Sequence, residues 1–350
     1  MIWLTWRQFR GSAAMMVAVL VVLAAVLALT GPDLASQYAA GVAGCTPDNT
    51  CDEFFDGFFD GYQLPFVAVS FVVLALPALV GLFWGAPLIT RELEAGTHLL
   101  VWNQSVTRGR WLAVKLGLVG LVAMFAACLC GLVVTWWSDP LDKSAVADLA
   151  LMAPLVFGAR GIAPMGYAAF AFVLGVTVGM LVRRTLPAMA LTLAAFAAIQ
   201  LAMPLLVRPH LMPPVTATFE LSHVNGGGIH VQGQGGGPVH ISMQPAVPGH
   251  AGAWVLSSDL LDPSGRTIAG TDEEAPLPLS ATSGPCAPAG GPPSLDACWI
   301  EINRLGYRQQ ATYHPLERFW PFQWIETGIY ALLTVGLTWF SFWWIRRRLS

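Results

Sequence analysis

The sequence predicts an all-α polytopic membrane protein: six transmembrane helices with both ends cytoplasmic, plus a small β-rich extracytoplasmic domain between the fifth and sixth spans. Three observations predict it. Of the 350 residues, 55% are hydrophobic and only 11% charged, against about 25% charge in a typical soluble domain. The apolar residues are gathered into uninterrupted runs, and about 20 such residues suffice to cross a bilayer. Residues 208–320, in contrast, are dominated by glycine and proline and hold no run of that length.

Six runs qualify, over 13–29, 64–89, 112–137, 164–182, 186–207 and 322–345. The first follows Arg7 and Arg10, as the apolar core of a signal peptide would. It is long for that role, and no convincing small-residue cleavage site follows Leu29, so it reads as an uncleaved span. Ahead of it, Ile2, Trp3, Trp6 and Phe9 recur at roughly helical spacing with Arg7 and Arg10 opposite. That pattern suits a short helix lying in the membrane interface. The chain divides accordingly into 1–207 (this helix and spans one to five), 208–320 (the extracytoplasmic domain) and 321–350 (the sixth span and a basic tail).

Arginine and lysine set the orientation through their excess on the cytoplasmic side. With the N-terminus inside, Arg7, Arg10, Arg91, Arg108, Arg110, Lys115, Arg183, Arg184, Arg346, Arg347 and Arg348 all fall inside. Only two acids, Glu92 and Glu94, join them. Both termini are therefore expected to be cytoplasmic. The excess of arginine over lysine, with the richness in alanine, glycine and proline, suggests a bacterial source and so a multi-pass protein of a bacterial plasma membrane. Cys45 and Cys51 fall in the first outer loop, and Cys286 and Cys298 in the last. Short spacings in an oxidising compartment predict two local disulfides. Cys128 and Cys130 lie within the third span and read as small apolar fillers.

In the outer region, "GIHVQGQGGGPVHISM" alternates Ile229 and Val231, then Val239, Ile241 and Met243, around a glycine-rich turn, the pattern of a β-hairpin. "WVLSSDLLDPSGRTIAG" offers a second strand pair around Asp262-Pro-Ser-Gly, and "CWIEINRL" a further alternating piece. "AVADLALMAPLVF", in the loop after the third span, is too short to cross and reads as a re-entrant or interfacial helix.

Chemistry has little foothold. There is no G-x-x-x-x-G-K-[ST], so the chain lacks a standard phosphate-binding loop. Neither H-E-x-x-H nor G-x-S-x-G occurs. His223, His230, His240 and His250 match no tight zinc spacing. The chain is expected to be no enzyme, to bind no metal or cofactor, and to have no nucleic-acid partner. The middle of every span lacks Asp, Glu, Lys and Arg, which disfavours an ion-coupled carrier. Glu326 alone lies within a span, near Gln323 and about one turn from the outer surface. It is expected to tie the sixth span to the outer domain through Arg318 or a backbone donor, with an outer gate as the sharper alternative.

"RELEAGTHLLVWNQSVTRGRWLAVK", Arg91 to Lys115, is the densest polar stretch. Gly96 breaks the helix continuing from the second span, and Thr97 can cap a short new one that exposes Leu99, Leu100 and Trp102. Thr107 can cap the third span, with Arg108 and Arg110 at the headgroups. Such a helix lying on the inner surface is a docking site for a soluble partner; the alternative is a structured turn whose apolar residues dip into lipid.

These residues, with the N-terminal "WLTWRQFR", resemble the membrane subunit of ATP-binding cassette exporters of the second type. "FGARGIAPMGYAAFAFVLG" and "ERFWPFQWIETGIY" are similar to stretches of actinobacterial permeases of this group. The likeness covers nearly all of the membrane part and much less of the outer domain. It implies that the helix around Thr97–Gln104 is the coupling helix, inserted into a separate ATPase subunit that holds ATP and Mg. Glu92, Glu94 and Gly96 would form the rigid joint behind it, and Arg91, Leu99, Trp102 and Arg108 would belong to the same contact. It further implies a second permease, identical or related, beside the surrounding lipid. The substrate path would run between the two permeases, lined by their second and fifth spans, where Ser70, Thr192 and Gln200 are the polar candidates. A path without fixed charge suits amphiphilic cargo such as a drug, antibiotic, peptide or lipid-like molecule. The competing class is a membrane sensor or scaffold whose outer domain binds a ligand while nothing crosses.

Overall fold

In hydrocarbon, every backbone N–H and C=O must be satisfied within its own segment, so a long apolar run has helix as its outlet. The computed structural model describes residues 2–44, 51–96, 107–144, 149–231, 238–271, 273–280, 282–287 and 295–347. Among them, six helices are long and apolar enough to cross a membrane: Ala14–Gly44, Phe54–Glu94, Arg108–Ser144, Ala163–Val182, Thr185–His210 and Leu316–Arg347. The chain forms two compact units. One comprises 1–144, 154–211 and 320–350, and the other 145–153 and 212–319.

In the first unit, helix α1 runs from Ile2 to Gly44. The separate N-terminal helix anticipated from sequence is therefore continuous with the first span. Gly11 is the one poor helix former at the join, and a single interior glycine costs only about 1 kcal/mol. The second span is composite: α2 (Cys51–Leu79), a π-helical turn (Val80–Gly85) and α3 (Ala86–Glu94). Pro87 has no N–H to return to the preceding turn, and the widened π turn absorbs that loss, with Ala86 N–H bonded to Gly81 O. Helix α4 (Arg108–Ser144) is the third span. After α5 (Pro154–Phe157), helix α6 (Ala163–Val182) is the fourth span, and nearly all its residues are buried. Helix α7 (Thr185–Ala202) continues through a π turn (Met203–Val207) and a 3-10 turn (Arg208–His210).

The centre of this unit is a backbone-to-backbone contact. Gly81 and Gly85 of the π turn face Gly175 and Gly179 of α6. A Cβ on Gly81 would lie 2.7 Å from Ala171 O, and one on Gly85 2.5 Å from Phe172 O. Two small-x-x-x-small motifs thus meet, which lets helices approach where no hydrophobic force draws them together. Around the contact pack Trp84, Phe172, Val176 and Trp111.

The expected re-entrant helix over 145–157 is reduced, among the described residues, to α5. Pro154 starts it, while 149–153 join the other unit, where Met152 N donates to Gly252 O at 3.4 Å. Gly161 at φ +60 then turns the chain into α6.

The second unit carries two antiparallel sheets, ordered β1-β7-β4-β5 and β2-β3-β6. Their strands are β1 (Val215–Phe219), β2 (Gly226–Val231), β3 (Pro238–Met243), β4 (Trp254–Leu261), β5 (Thr267–Ala269), β6 (Glu274–Ser280) and β7 (Arg308–His314). Strands β2 and β3 form the hairpin read from the sequence, with Val231 opposite Val239 and Ile229 opposite Ile241. Strands β4 and β5 form the second pair. Its turn is fixed by Asp262, which accepts from Ser264 Oγ (2.6 Å) and the Arg266 N–H (2.9 Å); these bonds hold its carboxyl down to about 2.

"CWIEINRL" is helical rather than extended up to Arg304, the end of α8 (Leu295–Arg304). Cys298, Trp299 and Ile302 are buried on one face while Ile300 is exposed. The spacing i, i+1, i+4 is a helix stripe, which a short run does not distinguish from strand alternation. The last span, α9 (Phe319–Arg347), closes the chain.

Cys286 and Cys298 are disulfide-bonded. The other expected pair falls on Cys45 and the side chain of Cys51, outside the described residues. Cys128 and Cys130 are free. A loop of this size is stabilised by about 3 kcal/mol on closure. Replacing Cys286 and Cys298 by serine is expected to make 212–319 the first region cut when the full chain is digested at low protease. An unchanged digestion pattern would deny the bridge that role.

Candidate coupling joint and buried ionic centre

Helix α3 ends where its sequence says it should. Ala95 N–H returns to Arg91 O, and Gly96 takes φ +67, a left-handed conformation that suits glycine. Just before this stop, two carboxylates reach two other spans. Glu92 pairs with Lys115 of α4 at 2.5 Å, with the side chains 12% and 3% exposed. Lys115 also donates to Leu88 O (3.4 Å) and lies 4.6 Å from the centre of the Trp111 ring.

Glu94 accepts from both Thr185 N–H (2.8 Å) and Thr185 Oγ–H (2.7 Å). It thereby serves the first turn of α7 as a cap supplied by another helix, satisfying a donor that the helix itself leaves orphaned and placing negative charge at its positive end. Thr90 Oγ1 lies 2.9 Å from Thr185 Oγ1 and completes the knot. Arg183, at φ 58, makes the tight turn between α6 and α7 that brings Thr185 there. The last turn of α3 is thus bonded to the third and fifth spans together.

The other members of the predicted coupling set are placed as follows. Arg91 is exposed on the last turn of α3 and Arg108 begins α4. Thr107 Oγ1 accepts from Arg110 N–H at 3.3 Å, capping α4. Thr97, Leu99 and Trp102 lie outside the described residues.

Of the path candidates, Ser70 is fully buried, donating to Phe66 O (2.8 Å) and accepting from Arg160 Nη1 (3.2 Å). Thr192 is buried and donates to Ala188 O at 2.7 Å. Gln200 accepts from Tyr330 OH at 3.1 Å.

Glu326 is the hub of a second centre. It is fully buried, and its partner is Arg208, not Arg318: Arg208 Nε and Nη2 grip both carboxylate oxygens at 2.8 and 3.0 Å. Tyr167 OH donates to Glu326 Oε1 at 2.5 Å, and the Tyr167 and Tyr330 rings meet edge to face at 4.8 Å. The Arg208 guanidinium lies 4.2 Å from the Phe157 ring centre. Arg318 instead donates to Pro213 O at 2.6 Å. A planar fork on both oxygens is the geometry that best repays the desolvation of a buried pair.

A third pair was not anticipated. Arg160, fully buried, is held by Asp142 of α4 (3.4 Å) and by Ser70 of α2, 4.9 Å from the Phe66 ring centre. Asp142 in turn accepts from Ser138 Oγ at 2.7 Å. Beside it, Gln323 of α9 accepts from Ile162 and Ala163 N–H (3.1 and 2.8 Å), capping α6, and donates to Phe157 O at 3.1 Å. Gly161 N–H donates to Thr135 Oγ1 of α4 at 2.9 Å. The 157–163 turn is therefore pinned by spans two, three and six. A lone arginine flanked by glycines in "FGARGIAP" was the available signal, since an ionisable residue among apolar ones marks function by default.

These groups fix helices to one another at two levels, the last turn of α3 and the turn before α6. A family model described as ABC-2 membrane transporter related matches residues 17–208, just over half of the chain. No curated protein and no solved structure matches it.

Proposed function

Because the chain belongs to the ABC-2 membrane transporter related family, we propose that this membrane component works as an exporter permease. A separate ATPase subunit, holding ATP and Mg, drives it to move amphiphilic cargo outward across a bacterial plasma membrane. Both termini lie in the cytoplasm in this reading. A second permease, the same chain or a related one, completes the pathway. The observation that carries the proposal is the joint at the end of α3. Glu92 and Glu94, two residues apart, bond respectively to Lys115 and Thr185, so a push on the following loop reaches three spans at once. Coupling of this kind needs a two-state element that a ligand biases; here the rigid body is the α3–α4–α7 corner, and nucleotide on the ATPase supplies the bias. The path residues Ser70, Thr192 and Gln200, and an outer gate at Glu326, belong to the same proposal.

The test is to purify the tagged chain in mild detergent from its host and assay vanadate-sensitive ATPase. A copurifying ATPase subunit is expected. Glu94→Ala is expected to leave that subunit bound while lowering cargo-stimulated hydrolysis several-fold, because α7 loses its cap. Gly96→Pro and Trp102→Ala are expected to separate hydrolysis from transport. If the chain purifies without any ATPase across several detergents, the exporter reading fails and a sensor or scaffold replaces it.

A further inference from the structure

The lower half of α9 carries an open groove of about 580 Å³ that the transport reading leaves unused. Among the described residues it is lined by α9 itself, chiefly Val335, Trp339, Phe342, Trp343, Arg346 and Arg347. These positions follow helical spacing and share one side of the helix. Val335 and Trp339 are 65% and 70% exposed, so no described residue covers this face.

The groove is graded along its length. From Val335 to Phe342 its lining is apolar but for Thr338, and it is cationic at Arg346 and Arg347. From Val335 to Arg346 the helix rises about 16 Å, close to half of a hydrocarbon core about 30 Å thick. The groove therefore has the length of one leaflet, with its charges at the headgroup end. Arg347 lies 5.6 Å from the Trp343 ring centre, a stacking contact that holds the guanidinium in place while leaving its edge N–H groups available. Neither Arg346 nor Arg347 has an ion-pair partner among the described residues, so the positive charge is locally uncompensated.

We propose that this groove binds one anionic phospholipid from the leaflet at the C-terminal end of α9. Its acyl chain lies along Val335, Trp339 and Phe342, and its phosphate is held by Arg346 and Arg347. A free phosphate would leave the apolar two-thirds of the groove unfilled, and a zwitterionic headgroup would bring its own cation to two arginines. Arg346 Nη2 also lies near Gly109, at the start of α4, 3.8 Å from where a Cβ there would sit. A bound headgroup is thus adjacent to the helix that receives the Glu92 contact.

The experiment is native mass spectrometry of the full chain, titrated with phosphatidylglycerol, with phosphatidylcholine of the same acyl chains, and with inorganic phosphate. Phosphatidylglycerol is expected to be retained in preference to phosphatidylcholine, and inorganic phosphate not at all. Arg346→Gln with Arg347→Gln should weaken phosphatidylglycerol by about fivefold per arginine. Trp339→Ala should weaken both lipids and keep the preference. Equal retention of the two lipids, or an unchanged preference in the double arginine variant, overturns the proposal. So does loss of a dimer signal in that variant with lipid retention intact, which would make the groove a contact between copies of this chain.

Discussion

Gly175→Val is expected to be the most damaging small substitution in the membrane unit. A Cβ there would fall against Gly81 O and 2.7 Å from Ala86 N. Both are backbone atoms of the second span, so no flexible side chain can give way. Inserting bulk into a filled interior costs about 1–3 kcal/mol and occasionally more, and an obstacle of backbone on two sides sets this case at the upper end. The π turn at Val80–Gly85 cannot retreat easily, because Gly85 meets Phe172 O and Gly81 meets Ala171 O on the same helix. The expected readout is a melting temperature lowered by several degrees, with loss of a monodisperse peak on fluorescence-detected size exclusion after mild heating. Gly117→Val is the control: that glycine sits in α4 with nothing within 4 Å of its added carbon. It is expected to stay within about 0.5 kcal/mol of the parent. Equal behaviour of the two variants would show that the glycine contact does not hold the second and fourth spans together.

The second large effect is expected at Arg208 and Glu326. Either Arg208→Met or Glu326→Leu alone strands a buried charge, at a cost of about 3–5 kcal/mol. The two together remove both charges, and apolar side chains of similar volume can refill the space. The double variant is therefore expected to be much more stable than the sum of the singles predicts, with a coupling of about 2 kcal/mol or more in a double-mutant cycle. Four melting midpoints in one detergent measure it. Additive losses would mean that the fork seen here contributes nothing to holding the fifth and sixth spans together. Tyr167, which donates to the same carboxylate, provides a gentler probe: Tyr167→Phe removes one hydrogen bond to a charged acceptor, about 1.5–3 kcal/mol.

The six spans, the β2–β3 hairpin and the Cys286–Cys298 bridge were legible because each rests on local pattern: run length, alternation around glycine, and short spacing. Gly81-x-x-x-Gly85 and Gly175-x-x-x-Gly179 are local patterns too, yet nothing local says that one meets the other. The segment holding Cys298, Trp299 and Ile302 was misread as a strand because seven or eight residues fit both periods; its buried face against Leu221, Met243 and Tyr307 decides for helix. Glu326 was recognised as unusual but given the wrong partner. Arg318 is near in sequence, whereas Arg208 is 118 residues away. Arg160 escaped notice because its partners, Ser70 and Asp142, lie on other helices.

What the sequence by itself determined was which segments are helical and apolar, where the charges accumulate, and where the second span must stop, since Gly96 acts on its own backbone. What only the tertiary structure decided was which polar groups find each other: Glu92 with Lys115, Glu94 with Thr185, Arg160 with Asp142, Arg208 with Glu326. The reason lies in the solvent. In water an isolated ionisable side chain is satisfied anywhere, but in a packed or lipid-surrounded interior it requires a partner at hydrogen-bond distance. Helix packing, not chain neighbourhood, chooses that partner.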